Sequence, residues 1–120
     1  MEKKNIILDK SLEFALEIIK YSELLEEHKK YVIARQILKS GTSIGANISE
    51  AQSSESKADF IHKLKIAAKE AQETEYWLML CNKLNCYPPN HLLPIKLEEI
   101  QKLFSSIISS AKKNSSNISS

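Results

Sequence analysis

The sequence contains few residues that interrupt helices. Two glycines and three prolines occur among its 120 residues. So few helix-breaking residues leave few places for the tight turns that a sheet protein needs, and they allow long segments to be helical. No segment shows the apolar–polar alternation of a strand. The composition therefore predicts an all-α protein.

Arginine is scarce, and charge of one sign does not dominate. The chain has 17 basic and 15 acidic residues, a formal net charge of +2, and Arg35 is the only arginine. Because arginine is the preferred residue for bidentate recognition of phosphate and guanine, its scarcity argues against sequence-specific base recognition. Phosphate contact through lysine stays open.

Long apolar runs and cysteine motifs are also missing. No run reaches the length that spans a membrane, and the first residues lack the apolar stretch of a signal peptide. Cys81 and Cys86 do not form a C-x-x-C pair, so we expect free thiols. We expect a cytoplasmic protein with no membrane partner.

Four segments show the spacing of amphipathic helices. Their predicted bounds are about 8–26, 31–52, 57–86 and 91–113. Short connections between four such helices favour an up-down-up-down four-helix bundle over residues 1–113. Residues 114–120 are mostly serine and asparagine, and they are predicted to form a flexible tail.

Each predicted helix presents one apolar face to the core. The residues of these faces are Leu8, Leu12, Ala15, Ile19 and Ser22 in the first helix, Ile33, Ile37, Ile44 and Ile48 in the second, Phe60, Leu64, Ala67, Ala71, Thr74, Leu78 and Cys81 in the third, and Leu93, Leu97, Ile100, Phe104, Ile107 and Ala111 in the fourth. Capping is predicted for Asp9 (as N-cap or first-turn acid), for Ser56 with Asp59, and for Asn90.

Polar residues border the apolar faces of the second and third helices. They are Gln36, Ser40, Ser43, Asn47 and Glu50 on one helix and Glu70, Glu73 and Trp77 on the other. We predict a hydrogen-bond network between helices or subunits, in which the Trp77 N–H is satisfied. A partner-binding surface is a second interpretation. Catalysis by paired carboxylates is a third, but no histidine or cysteine lies in register with them.

Gly41 and Gly45 lie four residues apart on the second helix. Glycine in a helix costs roughly 1 kcal/mol relative to alanine. We therefore expect another helix to approach closely at these positions.

The histidines do not form a metal-binding pattern. A di-metal bundle needs Glu-x-x-His on two helices, and none of His28, His62 and His91 follows a glutamate by three residues. No metal site, cofactor, catalytic residue or small-molecule substrate is predicted.

Two groups of basic residues are candidates for nucleic-acid binding. They are Lys29, Lys30, Arg35 and Lys39, and Lys57, Lys65 and Lys69. In a monomer these groups are better explained as solvated helical faces. In a ring the same lysines repeat around one axis and their potentials add.

A family resemblance lies in the second and third helices. The segment from Ser40 to Ala51, SGTSIGANISEA, resembles the signature of the bacterial four-helix-bundle proteins encoded in 23S rRNA intervening sequences. The match continues through Phe60, Leu64, Ala67, Glu70, Glu73, Thr74, Trp77 and Leu78. The resemblance implies a ring-shaped homopentamer. It also implies similarity to accessory proteins of diversity-generating retroelements, which bind a reverse transcriptase and nucleic acid through a basic surface.

Two functions follow as expectations. The first is a non-enzymatic oligomer that binds RNA or a ribonucleoprotein through its lysines. The alternative is a scaffold or adaptor that binds another protein and has no nucleic-acid role. A steep salt dependence of binding would favour the first.

Overall fold

The computed structural model describes the backbone of residues 5–119 and the side chains of residues 5–113. It contains four helices, α1 (Ile6–Glu27), α2 (Tyr31–Ala51), α3 (Lys57–Lys83) and α4 (Leu92–Ser119). Residues 5–119 include no strand, so the predicted all-α class is confirmed. None of the described helices combines the length and the apolar character that crossing a membrane requires.

Side-chain caps fix where the helices begin. Asn5 caps α1 by accepting a hydrogen bond from the Leu8 N–H, and Asp9 lies in the first turn. The Ser56 hydroxyl accepts from the Asp59 N–H at 3.0 Å, as the sequence predicts. At α4 the Asn90 side chain accepts from the N–H groups of the first two helical residues at 3.1 and 2.9 Å. These bonds satisfy donors that a helix leaves unpaired at its start.

The turn between α1 and α2 forms without glycine or proline. Lys29 adopts a φ of 63°, its N–H donates to the Glu26 carbonyl, and the Lys30 N–H donates to the Leu25 carbonyl, both at 2.9 Å. This is the Schellman pattern, in which a left-handed residue ends the helix. Lysine is strained there, because its Cβ approaches the following carbonyl oxygen.

The helices form an up-down-up-down bundle. Its adjacent pairs are α1–α2, α2–α3, α3–α4 and α1–α4. The predicted faces of α2, α3 and α4 point into the core. Ile37, Ile44 and Leu64 are fully buried, for example, and Leu97 is 1% exposed.

The predicted core face of α1 is wrong at two residues, whereas Ser22 is buried as predicted. Leu12 is 62% exposed and Ile19 is 40% exposed. The buried stripe of α1 is instead Ile7, Ser11, Phe14, Ile18, Tyr21, Ser22 and Leu25. Two apolar stripes lie side by side on this helix, and the one that contains both aromatic residues buries the larger surface.

The ends of α3 and α4 differ from the predicted bounds. α3 ends at Lys83, before residue 86, and the Asn82 side chain then donates to the Asn90 carbonyl and accepts from its N–H. α4 continues past residue 113 to Ser119, in a segment with neither glycine nor proline. The predicted tail, 114–120, thus enters α4 as far as residue 119; its side chains and Ser120 lie outside the described residues.

Candidate nucleic-acid interface

Lysines at the contact between α1 and α4 are neutralised by carboxylates. Lys10 Nζ lies 2.9 Å from Glu99 Oε2, and Lys96 Nζ lies 3.8 Å from Glu13 Oε1. The hydrogen bond from Lys10, together with its charge, lowers the pKa of Glu99, and the pKa of Lys10 is raised in return. These positive charges are already paired and have little left to offer an anionic ligand.

On the other edge of α4, Lys112 neighbours Lys65 on α3. Interaction with the Lys112 side chain and its like charge lower the pKa of Lys65. Neither lysine forms an ion pair with a described side chain. Two unneutralised cations at one place form an electrostatic site for an anion.

Lys112 lines a groove between α3 and α4, and Lys65 lies one helical turn before Ala68, which also lines it. The groove has a volume of about 530 Å³ and is lined by Ala68, Gln72, Gln101, Phe104, Ser105, Ile108, Ser109 and Lys112. We call these residues together with Lys65 the basic groove. No carboxylate is among the described residues that line it.

The structure separates the two predicted basic groups. Lys30 places its ammonium 4.8 Å from the centre of the Tyr87 ring, at the end of the bundle where α3 connects to α4. Lys57 begins α3 at the opposite end. Of the predicted basic residues, Lys29, Arg35, Lys39, Lys57, Lys65 and Lys69 are exposed, and Lys30 is half-buried. Only Lys65 lies within the basic groove, with Lys69 one helical turn away.

The predicted polar stripes are joined between helices at one point. Ser40 Oγ and Thr74 Oγ1 lie 2.8 Å apart and both residues are buried. Since a hydroxyl carries one proton, Thr74 donates to the Glu70 carbonyl at 2.8 Å and accepts from Ser40. This bond connects α2 to α3.

Most of the remaining stripe residues bond within their own helix or face solvent. Ser43 donates to the Lys39 carbonyl at 2.6 Å, and Asn47 donates to the Ser43 carbonyl at 2.8 Å. Gln36, Glu50 and Glu73 are exposed. Short polar side chains in a helix commonly bond to the carbonyl four residues back, which removes them from a network between helices.

The Trp77 Nε1 is buried and has no acceptor among the described residues of the single chain. An acceptor on a neighbouring subunit stays a prediction. The indole packs against the apolar core cluster and against the edge of Tyr76, with ring centroids 5.5 Å apart. These apolar neighbours explain the burial and supply no acceptor.

Glu70 and Glu73 form the one close carboxylate pair that the predicted stripes contain. Burial raises the pKa of Glu70, the neighbouring charge of Glu73 raises it further, and Lys39 opposes the shift. Among the described residues no three potential metal ligands come together.

The cysteines are free, and Cys81 is buried while Cys86 is exposed. Burial raises the pKa of the Cys81 thiol, and Tyr21 partly opposes this. The Tyr21 hydroxyl donates to the Pro88 carbonyl at 2.7 Å, which ties α1 to the α3–α4 connection. A buried thiol with a raised pKa behaves as a core residue and not as a nucleophile.

A second groove lies between α1 and α2 and is mainly apolar. Its volume is about 390 Å³, and its lining residues are Leu8, Asp9, Ser11, Leu12, Ala15, Thr42, Gly45, Ala46 and Ser49. Leu16 lies one turn beyond Leu12 and is 54% exposed. We call Leu12, Leu16 and Ile19 the apolar stripe of α1.

Comparison with known proteins assigns the fold and its signature to one family. The family model described as 23S rRNA-intervening sequence protein matches residues 3–110 of the chain. The chain belongs to this family. A solved structure from Bacteroides thetaiotaomicron is 50% identical, covers 85% of this chain and 97% of its own, and has a TM-score of 0.81. That protein is described as one of unknown function from the S23 ribosomal protein family. No curated protein matches the chain.

Sequence analysis of this 23S rRNA-intervening sequence protein missed most of the basic groove. It did not select Gln72, Gln101, Ser105, Ser109 or Lys112. The sequence does contain a periodic pattern for these residues. Gln101, Ser105, Ser109 and Lys112 recur at intervals of four, four and three along one flank of α4. What the sequence did not contain was the register that brings Lys112 beside Lys65.

Proposed function

We propose that this protein is a non-enzymatic RNA-binding protein that acts as a homo-oligomer in the bacterial cytoplasm. The observation that carries the proposal is the basic groove. Its two lysines have no carboxylate partner among the described side chains, whereas those between α1 and α4 are paired. RNA supplies closely spaced phosphates, and lysine is a common phosphate ligand.

The family resemblance implies a second class of partner, a ribonucleoprotein, which includes particles that contain a reverse transcriptase. The same lysines would contact the RNA of such a particle. The proposal includes no catalytic step and no cofactor.

Two surfaces support assembly into a ring. A cyclic oligomer other than a dimer joins two different patches, one from each neighbour. The apolar stripe of α1 is one candidate patch, since Leu12 and Leu16 are 62% and 54% exposed. The outer edge of the polar stripes, with Gln36, Glu50 and Glu73 exposed, is the other. We propose the pentamer that the resemblance implies.

Native mass spectrometry of the full chain tests assembly. A pentamer is expected for the wild type, and Leu12→Gln with Leu16→Gln should shift it toward monomer without unfolding, because both side chains are exposed. Asn47→Ala with Glu50→Ala tests the polar patch. Lys102→Gln, which alters a surface ion pair on α4, is the control. A monomeric wild type would rule out the ring.

The proposed function itself is tested by fluorescence anisotropy with a structured RNA across a salt series. Micromolar or tighter affinity that falls steeply with salt is expected, because bound phosphates release counterions. Absence of binding at low salt would reject RNA as the partner.

A protein-binding scaffold is the second candidate function. The apolar groove between α1 and α2 favours it, since such a groove accepts the apolar face of a partner helix. In that case RNA binding would be absent, and association with the protein partner would depend only weakly on salt.

A further inference from the structure

The polar side chains of the basic groove have no hydrogen-bond partner in the part of the chain that the structure describes. Within the described residues, Gln72, Gln101, Ser105 and Ser109 donate no hydrogen bond to the protein. Many of the described hydroxyl and amide groups on α1, α2 and α3 are bonded internally, although Gln36 and Ser49 on α2 are exposed and unbonded; examples of bonded groups are Ser11, Ser22, Ser40, Thr42, Ser43, Asn47 and Thr74. The groove thus presents amides and hydroxyls that are free to bind a ligand.

We propose that the basic groove holds one unpaired nucleotide of single-stranded RNA. The phosphate lies between Lys65 and Lys112. The base lies on the apolar floor of the groove, and Gln72 and Gln101 bond its edge. The inference rests on the proposed function and narrows it to one class of RNA and one site.

Charge defines the phosphate end of the groove. Lys65 on α3 and Lys112 on α4 lie close enough to perturb each other, and like charges at this distance repel. A phosphate between the two ammonium groups turns this repulsion into two attractions. Lysine contacts phosphate as a compact point charge that carries three donors, so it needs no fixed orientation.

The middle of the groove suits a nucleobase. Ala68 and Ile108 are half-buried and Phe104 is buried beneath them, so the floor is apolar. The amides of Gln72 and Gln101 each offer a donor and an acceptor. A base edge presents the complementary groups, and proteins read unpaired bases through such contacts.

The dimensions of the groove exclude a duplex. A volume of about 530 Å³ is that of a small-ligand pocket, and it lies between two adjacent helices. Bases in a duplex are stacked and paired, so their Watson–Crick edges cannot reach the glutamines. The ligand is therefore a loop, a bulge or a single strand.

The test is fluorescence anisotropy of the intact protein with a labelled 12-nucleotide oligouridylate and with a blunt-ended RNA duplex of 12 base pairs. Lys65→Gln and Lys112→Gln should each weaken oligouridylate binding about tenfold. Each should also reduce the log–log salt slope by roughly 0.7. Gln72→Ala and Gln101→Ala should each weaken binding about fivefold with the slope unchanged.

Lys102→Gln is the matched control, because it removes the same charge from an exposed, ion-paired position on α4. It should change affinity by less than about twofold. If the wild type bound RNA but the groove variants behaved like this control, the groove would be the wrong site and the proposed function would stand. Duplex binding as tight as oligouridylate binding would overturn the proposal that the ligand is an unpaired nucleotide. A wild type that bound neither RNA would overturn both proposals.

Discussion

α2 and α4 lie diagonally opposite in the bundle and contact the same two neighbours, but through side chains of different size. Buried positions on α2 include Ala34, Ser40 and Gly41. The buried residues of α4 are all large, namely Leu93, Leu97, Ile100 and Phe104. Because the distance between packed helices depends on the side chains at the contact, α2 packs closely on both neighbours and makes the more extensive contacts.

This difference explains where a ligand site can form. On the α2 side, hydroxyls are enclosed between helices and bonded there: Ser22 donates to the Ala34 carbonyl, and Ser40 bonds Thr74. On the α4 side, the helices leave the basic groove, whose amides and hydroxyls have no bond to a described residue, whereas the groove between α1 and α2 is mainly apolar. Close packing therefore uses polar groups for structure, and looser packing leaves them for binding.

The largest expected effect is on the close-packed side. A Cβ at Gly41 would lie 2.8 Å from Cγ1 and Cγ2 of Ile18, a fully buried residue. Gly41→Val should therefore lower the free energy of unfolding by about 3 kcal/mol. The matched variant Gly45→Val, whose Cβ would lie 3.4 Å from its nearest neighbour, Ser11 Oγ, should change it by less than about 1 kcal/mol. Urea denaturation measures both, and equal losses would show that α2 does not pack as described.

A smaller effect is expected at the buried hydroxyl pair. Thr74→Val keeps the shape of the side chain and removes the bond to Ser40, so stability should fall by about 1 kcal/mol. Thr42→Val is the control, because the Thr42 hydroxyl bonds only within its own helix. It should cost less than about 0.5 kcal/mol. Equal losses in urea denaturation would mean that the bond between helices adds no stability.

A charge reversal on α4 should replace the repulsion between Lys65 and Lys112 with an attraction. Lys112→Glu places a carboxylate near Lys65 and should raise the free energy of unfolding slightly. It should also lower affinity for RNA. Lys102→Glu, which puts a second carboxylate beside Glu98, should lower stability by a similar amount. Paired thermal and urea melts of the two variants measure this, and a change of the same sign in both would contradict the assigned neighbours.

Helix positions follow from local chemistry, and the sequence therefore predicts them well. Ser56 and Asn90 cap the helices that they were predicted to cap. The core face of α1 was misjudged, because local spacing does not distinguish two adjacent apolar stripes. Only the packing of the whole bundle selects the stripe with Phe14 over the stripe with Leu12.

The site was less predictable, because it depends on which residues meet across helices. Lys65 was selected from its own helix, but its neighbour Lys112 requires the α3–α4 register. Thr74 was assigned to the apolar repeat, yet it supplies the bond that joins the two polar stripes. Asn47 was assigned to the network between helices, but its side chain donates to the Ser43 carbonyl of its own helix. The periodicity of the stripe does not distinguish such a local bond from a bond between helices.

The smallest expected effect concerns charge on the close-packed side, at Glu70. Burial first, and then Glu73, raise the pKa of Glu70 above its ordinary value of 4.5. The folded state thus binds the proton more tightly than the unfolded state does, so the stability it contributes is present below about pH 4.5 and is lost as pH rises through the folded pKa. Glu70→Gln should match the wild type at low pH and become the more stable protein toward pH 7, as urea denaturation at a series of pH values measures. Adding Glu73→Gln to both proteins should reduce this difference in stability, because it removes the neighbouring charge that also raises the pKa of Glu70. A Glu70→Gln variant that lost stability toward pH 7 would show instead that Lys39 outweighs burial, and that close packing of α2 on α3 does not disfavour charge.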